Sequence, residues 1–109
     1  VSQMSKQTRK YTRKRSQRLK QAYGINATQW SRLFVLQGGI CPICLKPLRK
    51  PLNKEGKRAA CVDHDHGPSK RVRGLLCYFC NKYRVSNNTP ETAKRMVAYL
   101  ASGVDGRTL

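Results

Sequence analysis

The chain's two histidines and two of its five acids share one tetrapeptide, Asp63-His64-Asp65-His66. Carboxylate oxygens, and the side-chain amide oxygen of Asn81 further on, are hard donors suited to Mg2+ or Mn2+. A neutral imidazole near pH 7 is suited to general-base chemistry. In a strongly basic chain that would gather phosphates, these groups point to metal-assisted phosphodiester hydrolysis. A hard ion would neutralise charge on the phosphate and on the leaving oxygen while a histidine deprotonates water. A second zinc site and a salt-bridged turn are the plainer readings, although four consecutive residues do not easily surround one ion tetrahedrally.

Two Cys-x-x-Cys knuckles flank this tetrapeptide, Cys41/Cys44 and Cys77/Cys80. Each pair can turn both sulfurs onto one ion, and four thiolates make a closed tetrahedral zinc site that is structural rather than catalytic. Disulfides would need an oxidising compartment. A redox pair would need a βαβ pattern, which is absent. An iron–sulfur cluster has no further support. The knuckles stand further apart than the roughly 15–20 residues of a compact zinc ribbon, so an insert carrying the Asp/His tetrapeptide lies between them. The fifth thiol, Cys61, reads as a small buried hydrophobe rather than another ligand.

Lys and Arg number 23 against five acids in 109 residues, a formal charge of +18. A polyanion relieves the self-repulsion of so charged a body, and DNA releases counterions on binding it. A solvated surface, an acidic membrane or an acidic protein partner remain the alternatives. Residues 1–22 read as a basic arm without acids, disordered or loosely helical when free, with Met4, Tyr11, Leu19 and Ala22 as its few apolar positions. Its Arg9, Lys10, Arg13, Lys14, Arg15 and Arg18, with Arg71 and Arg73 beyond, are the candidate phosphate contacts. No run approaches the roughly 18 apolar residues of a membrane span, and no secretory signal is evident. Reduced cysteines then suggest an intracellular setting.

Residues 23–109 must supply the elements that position this chemistry. Tyr23-Gly24-Ile25-Asn26 reads as a turn. Thr28 is the expected cap of a helix with Trp30, Leu33, Phe34 and Leu36 on its apolar stripe, Trp30 and Phe34 as anchors, and Gly38-Gly39 as its stop. Ala59 to His64 reads as a strand, Gly67-Pro68-Ser69 as its turn and Val72 to Leu76 as the returning strand. A short helix is expected from about Asn81 to Ser86. A last helix is capped by Thr89, with Pro90 in its first turn and Ala93, Met96, Val97 and Leu100 on one face, and Gly103 at its end. The fold class is therefore small α+β, in a chain short enough to need a metal, a disulfide or a partner to hold together.

The segments Cys41-Pro-Ile-Cys44, Cys61-Val-Asp-His-Asp-His66 and Val72-Arg-Gly-Leu-Leu-Cys77-Tyr-Phe-Cys80-Asn81 together resemble the phage recombination endonuclease VII family. That family belongs to the HNH, or His-Me finger, nucleases, with a ββα-metal core. The lead-in Tyr23-Gly-Ile-Asn and Leu36-Gln-Gly-Gly is also similar, so the resemblance covers about Tyr23 to Tyr83. It implies that the four knuckle cysteines bind structural Zn2+. Asp63 and Asn81 would hold a catalytic Mg2+ or Mn2+, His64 would be the general base, and His66 would assist at the scissile phosphate. Asp65 would orient an imidazole. The implied substrate is double-stranded DNA, branched or four-way-junction DNA in particular, in the cytoplasm of a phage-infected bacterium.

Two departures from the family stand out. Some members carry an acid three residues after the Asn, where this chain has Arg84. Junction-resolving members dimerise through a long helical C-terminal region, where this chain offers one helix, so a homodimer that resolves junctions and an enzyme that nicks both stay open. A non-catalytic zinc module that binds nucleic acid is the alternative; it leaves the Asp/His tetrapeptide unexplained. Strict strand alternation would put Asp63 and His64 on opposite faces, so both can serve one site only if the strand bends or ends there.

Overall fold

The computed structural model describes residues 6–109, without the side chains at 7–9, 11 and 12. Met4 lies outside the described residues, and so do the side chains of Arg9 and Tyr11. The basic segment forms a helix, α1 (Lys6–Tyr23). It contains no Gly or Pro and is rich in Lys, Arg and Gln, all good helix formers. Its last turns dock: Leu19 and Tyr23 pack on the core, the Arg15 guanidinium lies 4.6 Å over Trp30, and Ser16 Oγ accepts a 3.1 Å hydrogen bond from the Ala27 N–H. Gly24 ends the helix in the left-handed region at φ +76.

The next helix, α2 (Ala27–Leu36), is capped by Asn26 rather than Thr28. Asn26 Oδ1 accepts from the Gln29 N–H and Gln29 Oε1 accepts from the Asn26 N–H, both at 2.8 Å. This reciprocal box satisfies two end donors, where Thr28 alone would satisfy one. Trp30 is buried, and Phe34, half-buried, stacks on it at 5.6 Å. Leu36, expected on the same stripe, is instead exposed at the helix end.

Two antiparallel strands follow, β1 (Cys61–His64) and β2 (Val72–Leu76). β1 begins later than expected: the Ala60 N–H bonds to Arg49 O at 2.8 Å, outside the ladder. Gln37 stands at the end of α2 and acts toward β2 as a third strand would. Its side chain accepts from the Leu75 N–H at 2.7 Å and donates to Leu75 O at 2.8 Å. The neighbouring Gly74 leaves room for that amide, since a Cβ there would lie 2.8 Å from Gln37 Oε1.

Among the described residues, nine buried residues make the core: Ile25, Trp30, Cys41, Leu48, Ala60, Val62, Leu75, Leu76 and Cys80. Two of them are knuckle cysteines, so the core and the sulfur cluster are one structure. After the second knuckle a wide π-helical turn runs over Cys80–Val85, close to the expected position. Helix α3 (Pro90–Leu100) carries the expected Thr89 cap, whose hydroxyl accepts from the Thr92 N–H at 3.1 Å. Met96, Val97 and Leu100 on α3 are exposed. Among the described residues, no helix is long and apolar enough to cross a membrane.

Candidate metal centre and acid–histidine cleft

The four sulfurs of Cys41, Cys44, Cys77 and Cys80 lie within 4.8 Å of one another, and the Cys44 and Cys77 sulfurs are 3.7 Å apart. A regular tetrahedron with Zn–S near 2.3 Å has edges of about 3.8 Å. The donor set and its spacing fit a structural metal such as zinc. Local turns set this geometry. The Leu45 N–H bonds to Cys41 O at 2.9 Å, with Leu45 itself at φ +66, and the Cys80 N–H points at Cys77 Sγ at 3.4 Å.

The surroundings differentiate the thiols. Burial opposes ionisation of Cys41, but the backbone N–H groups of Cys44, Cys77 and Ile43 outweigh it and bring the thiol down to about 6. Burial pushes Cys80 up to about 12, against a hydrogen bond from Arg84. Arg84 Nη1 stands 3.1 Å from Cys80 Sγ. Four thiolates on a doubly charged ion would leave two negative charges, which this guanidinium is placed to offset in part. Arg84, noted in the sequence only as a missing acid, therefore serves the sulfur cluster. Cys61 stays outside the cluster, half-buried, with its thiol pushed up by burial.

The acid–histidine segment sits where β1 stops. The ladder runs in register from Cys61↔Leu76 to Asp63↔Gly74, then slips so that His64 faces Val72. Arg73 is the extra residue on β2. Bulges break strict alternation and re-aim side chains, which is the irregularity that the sequence demanded of Asp63 and His64. The bulged Arg73 turns onto the buried Asp63 carboxylate, with Nε 2.9 Å from Oδ2 and Nη2 3.0 Å from Oδ1, and it also reaches His64 O at 3.3 Å. It is also a candidate phosphate contact and remains exposed, with its guanidinium paired to Asp63.

Past the bulge, the His64 and His66 rings approach to 4.7 Å and Tyr23 lies 5.4 Å from His64. With Ala22, Asp65 and Lys70 they line an open cleft of about 400 Å³. Sequence reading missed Tyr23, because nothing in its spacing ties the end of α1 to the end of β1. Asp65 orients the turn rather than an imidazole. Its oxygens accept from the Gly67 N–H at 2.9 Å and the Ser69 hydroxyl at 3.1 Å, which hold its carboxyl below the usual range.

Asn81 is half-buried, and its N–H donates to Cys77 O at 3.0 Å, so its backbone is anchored to the knuckle. Among the described residues, no hydrogen bond joins Asp63 or His64 to Asn81, and the acid and imidazole groups do not converge as the four sulfurs do. Of the candidate phosphate contacts, Lys10, Arg13, Lys14, Arg18, Arg71 and Arg73 are exposed.

Comparison with known proteins places these features. A family model for recombination endonuclease VII matches residues 16–102. That span takes in both knuckles, the tetrapeptide and Asn81, and it extends beyond the resemblance into the end of α1 and all of α3. The chain is 38% identical over 85 residues to the Gene 59 protein of Mycobacterium phage L5, covering 76% of this chain and 48% of that protein. It is 39% identical over 85 residues to the Gene 59 protein of Mycobacterium phage D29, covering 76% and 47%. The chain thus spans about half the length of the curated relatives it matches. No solved structure matches it. With most of its length inside the family model, the chain belongs to the recombination endonuclease VII family.

Proposed function

We propose that the chain is a DNA endonuclease that hydrolyses phosphodiester bonds with a hard divalent ion, Mg2+ or Mn2+, and that branched DNA such as a four-way junction is its substrate class. Family membership supports the activity. The observation that carries the site assignment is the break in the ladder between Asp63 and His64. A regular strand would put these two side chains on opposite faces, so the break supports their serving one reaction. The order β1, β2, π-helical turn supports the reading of a ββα-metal unit of the His-Me finger, or HNH, kind.

In this reading the cysteine cluster holds zinc and fixes the start of the helical turn that carries Asn81. Asp63 and Asn81 supply oxygen donors for the divalent ion. When bound, that ion supplies charge neutralisation at the phosphate and the leaving oxygen. With Arg84 occupied by Cys80, no acid follows Asn81 at the next turn, and water would complete the ligand set as Mg2+ tolerates. Arg73 keeps the Asp63 carboxylate oriented. His64 takes the proton of the attacking water. The water oxygen bonds to phosphorus, the bond to the 3′ oxygen breaks, that oxygen takes a proton from solvent water, and the products carry 5′-phosphate and 3′-hydroxyl ends. His66, 4.7 Å from His64 ring to ring, assists at the phosphate. The exposed cations of α1 grip the backbone. A homodimer would supply the second site that paired junction incisions require.

The test is nicking of supercoiled plasmid by zinc-loaded protein with and without added Mg2+. We expect Mg2+-dependent nicking that His64→Ala lowers by about 10²–10⁴-fold, with duplex binding and the thermal transition retained. Full activity in His64→Ala removes the mechanism. Binding without any nick makes the chain a zinc-stabilised nucleic-acid-binding module instead. Paired incisions in a synthetic four-way junction, absent from matched linear duplex, would establish the substrate class.

A further inference from the structure

A second cleft, of about 510 Å³, opens beside the sulfur cluster and shares no lining residue with the acid–histidine cleft. The exposed cations Lys46, Arg49, Lys57 and Arg58 line it together with the aromatic residues Tyr78 and Phe79, and among the described residues no acid lines it. The Arg58 guanidinium lies 4.3 Å over the Tyr78 ring and the Arg84 guanidinium 4.7 Å over Phe79. Phe79 is nevertheless 53% exposed, with Tyr83, 62% exposed, 5.0 Å away. The core does not account for exposed rings on a knuckle whose sulfurs already define the turn.

We propose that this cleft binds an unpaired nucleotide of a DNA strand. A pocket of this size matches a small ligand, and a duplex keeps its base faces stacked inside. Only a base released from the stack can present its flat face to a ring or to a guanidinium plane. Arg58 and Arg84, held over rings, offer such planes, and Lys46, Arg49 and Lys57 face the phosphates on either side. A site for phosphate alone would need the cations but not the rings. Unpaired nucleotides occur at branch points, so the cleft would favour branched over plain duplex DNA. The proposal rests on the reading above only in taking DNA as the ligand.

The experiment measures binding of a short fluorescein-labelled oligothymidylate, and of an abasic strand of equal length, to zinc-loaded chain at fixed salt without magnesium. We expect about tenfold tighter binding of the thymidylate strand. Phe79→Leu, which keeps apolar bulk and loses the ring, should bring the two strands within about twofold while stoichiometric zinc and the thermal transition persist. Should Phe79→Leu lose its zinc, Arg58→Lys gives the same test at the Tyr78 ring. It keeps the charge and loses the plane, and should cut the preference several-fold. Equal affinity of the wild-type chain for both strands overturns the proposal, as does an undiminished preference in a folded variant. Absence of plasmid nicking would count against the nuclease reading and leave this binding result standing.

Discussion

The four sulfurs are gathered within 4.8 Å of one another, whereas the oxygens of Asp63 are turned onto Arg73 and the two imidazoles onto each other. Both regions belong to one small core, yet they are built differently. Each cysteine pair is closed by a turn of a few residues, and the long-range step is to bring the two turns together once. The acid–histidine segment depends on the ladder slipping by one residue, on Arg73 bulging from the opposite strand, and on Tyr23 arriving from α1. A site of local turns tolerates change around it. A site made from the end of a strand inherits every shift in the sheet.

The strongest way to break this contrast is to remove a sulfur. Structural zinc contributes on the order of 10 kcal/mol of apparent binding energy in small domains, comparable with the roughly 5–15 kcal/mol stability of a whole domain. Cys77→Ser should therefore abolish the cooperative thermal transition along with stoichiometric zinc. A folded, metal-free Cys77→Ser protein would show that the cluster does not hold the fold.

The ion pair at the other site is worth less. Asp63 is 9% exposed at its side chain and Arg73 30%, so solvent screens part of the interaction. Arg73→Met and Asp63→Asn, combined in a double-mutant cycle read by denaturant unfolding, should show a coupling of about 1–2 kcal/mol. Zero coupling would mean that Arg73 does not hold Asp63 in solution.

The link between α2 and the sheet gives a similar or smaller effect. Gly74→Ala puts a Cβ against Gln37 Oε1, and the amide can retreat only by weakening its two bonds to Leu75. A loss of about 1 kcal/mol is expected in thermal or denaturant unfolding; an unchanged midpoint would show that the amide yields freely.

The smallest effect belongs to Asp65. Its carboxyl lies below its usual value of 3.8 because the Gly67 N–H and the Ser69 hydroxyl bond to it. A depressed folded-state pKa contributes stability that is present above 3.8 and is lost as pH falls through the lower folded value. Hydrogen-exchange protection of the Gly67 amide should persist through mild acid and fade only below that value. Protection insensitive to protonation of the carboxylate would remove Asp65 from the turn.

The cysteine spacing, the returning strand Val72–Leu76, the helical turn after Cys80 and the Thr89 cap could all be read from the residues, because each rests on interactions within a few positions. Thr28 misled as a cap because the reciprocal bonds of Asn26 and Gln29 outcompete a single hydroxyl. Arg73, Arg84 and Gln37 were opaque for a different reason. A long side chain's partner depends on which backbone lies across from it, and composition counts a cation as a phosphate contact by default.

Charge, donor types and spacing alone therefore determined a basic α+β chain with a sulfur cluster that fits a structural metal and a hard-donor segment beside an imidazole pair. Sequence neighbours carry that information because short turns leave the backbone few alternatives. Only the tertiary structure decided that Asp63 is taken by Arg73, that His64 shares a cleft with His66 and Tyr23, and that Arg84 serves sulfur. Those choices follow from one slipped rung between two strands and from the approach of distant segments, which no local pattern records.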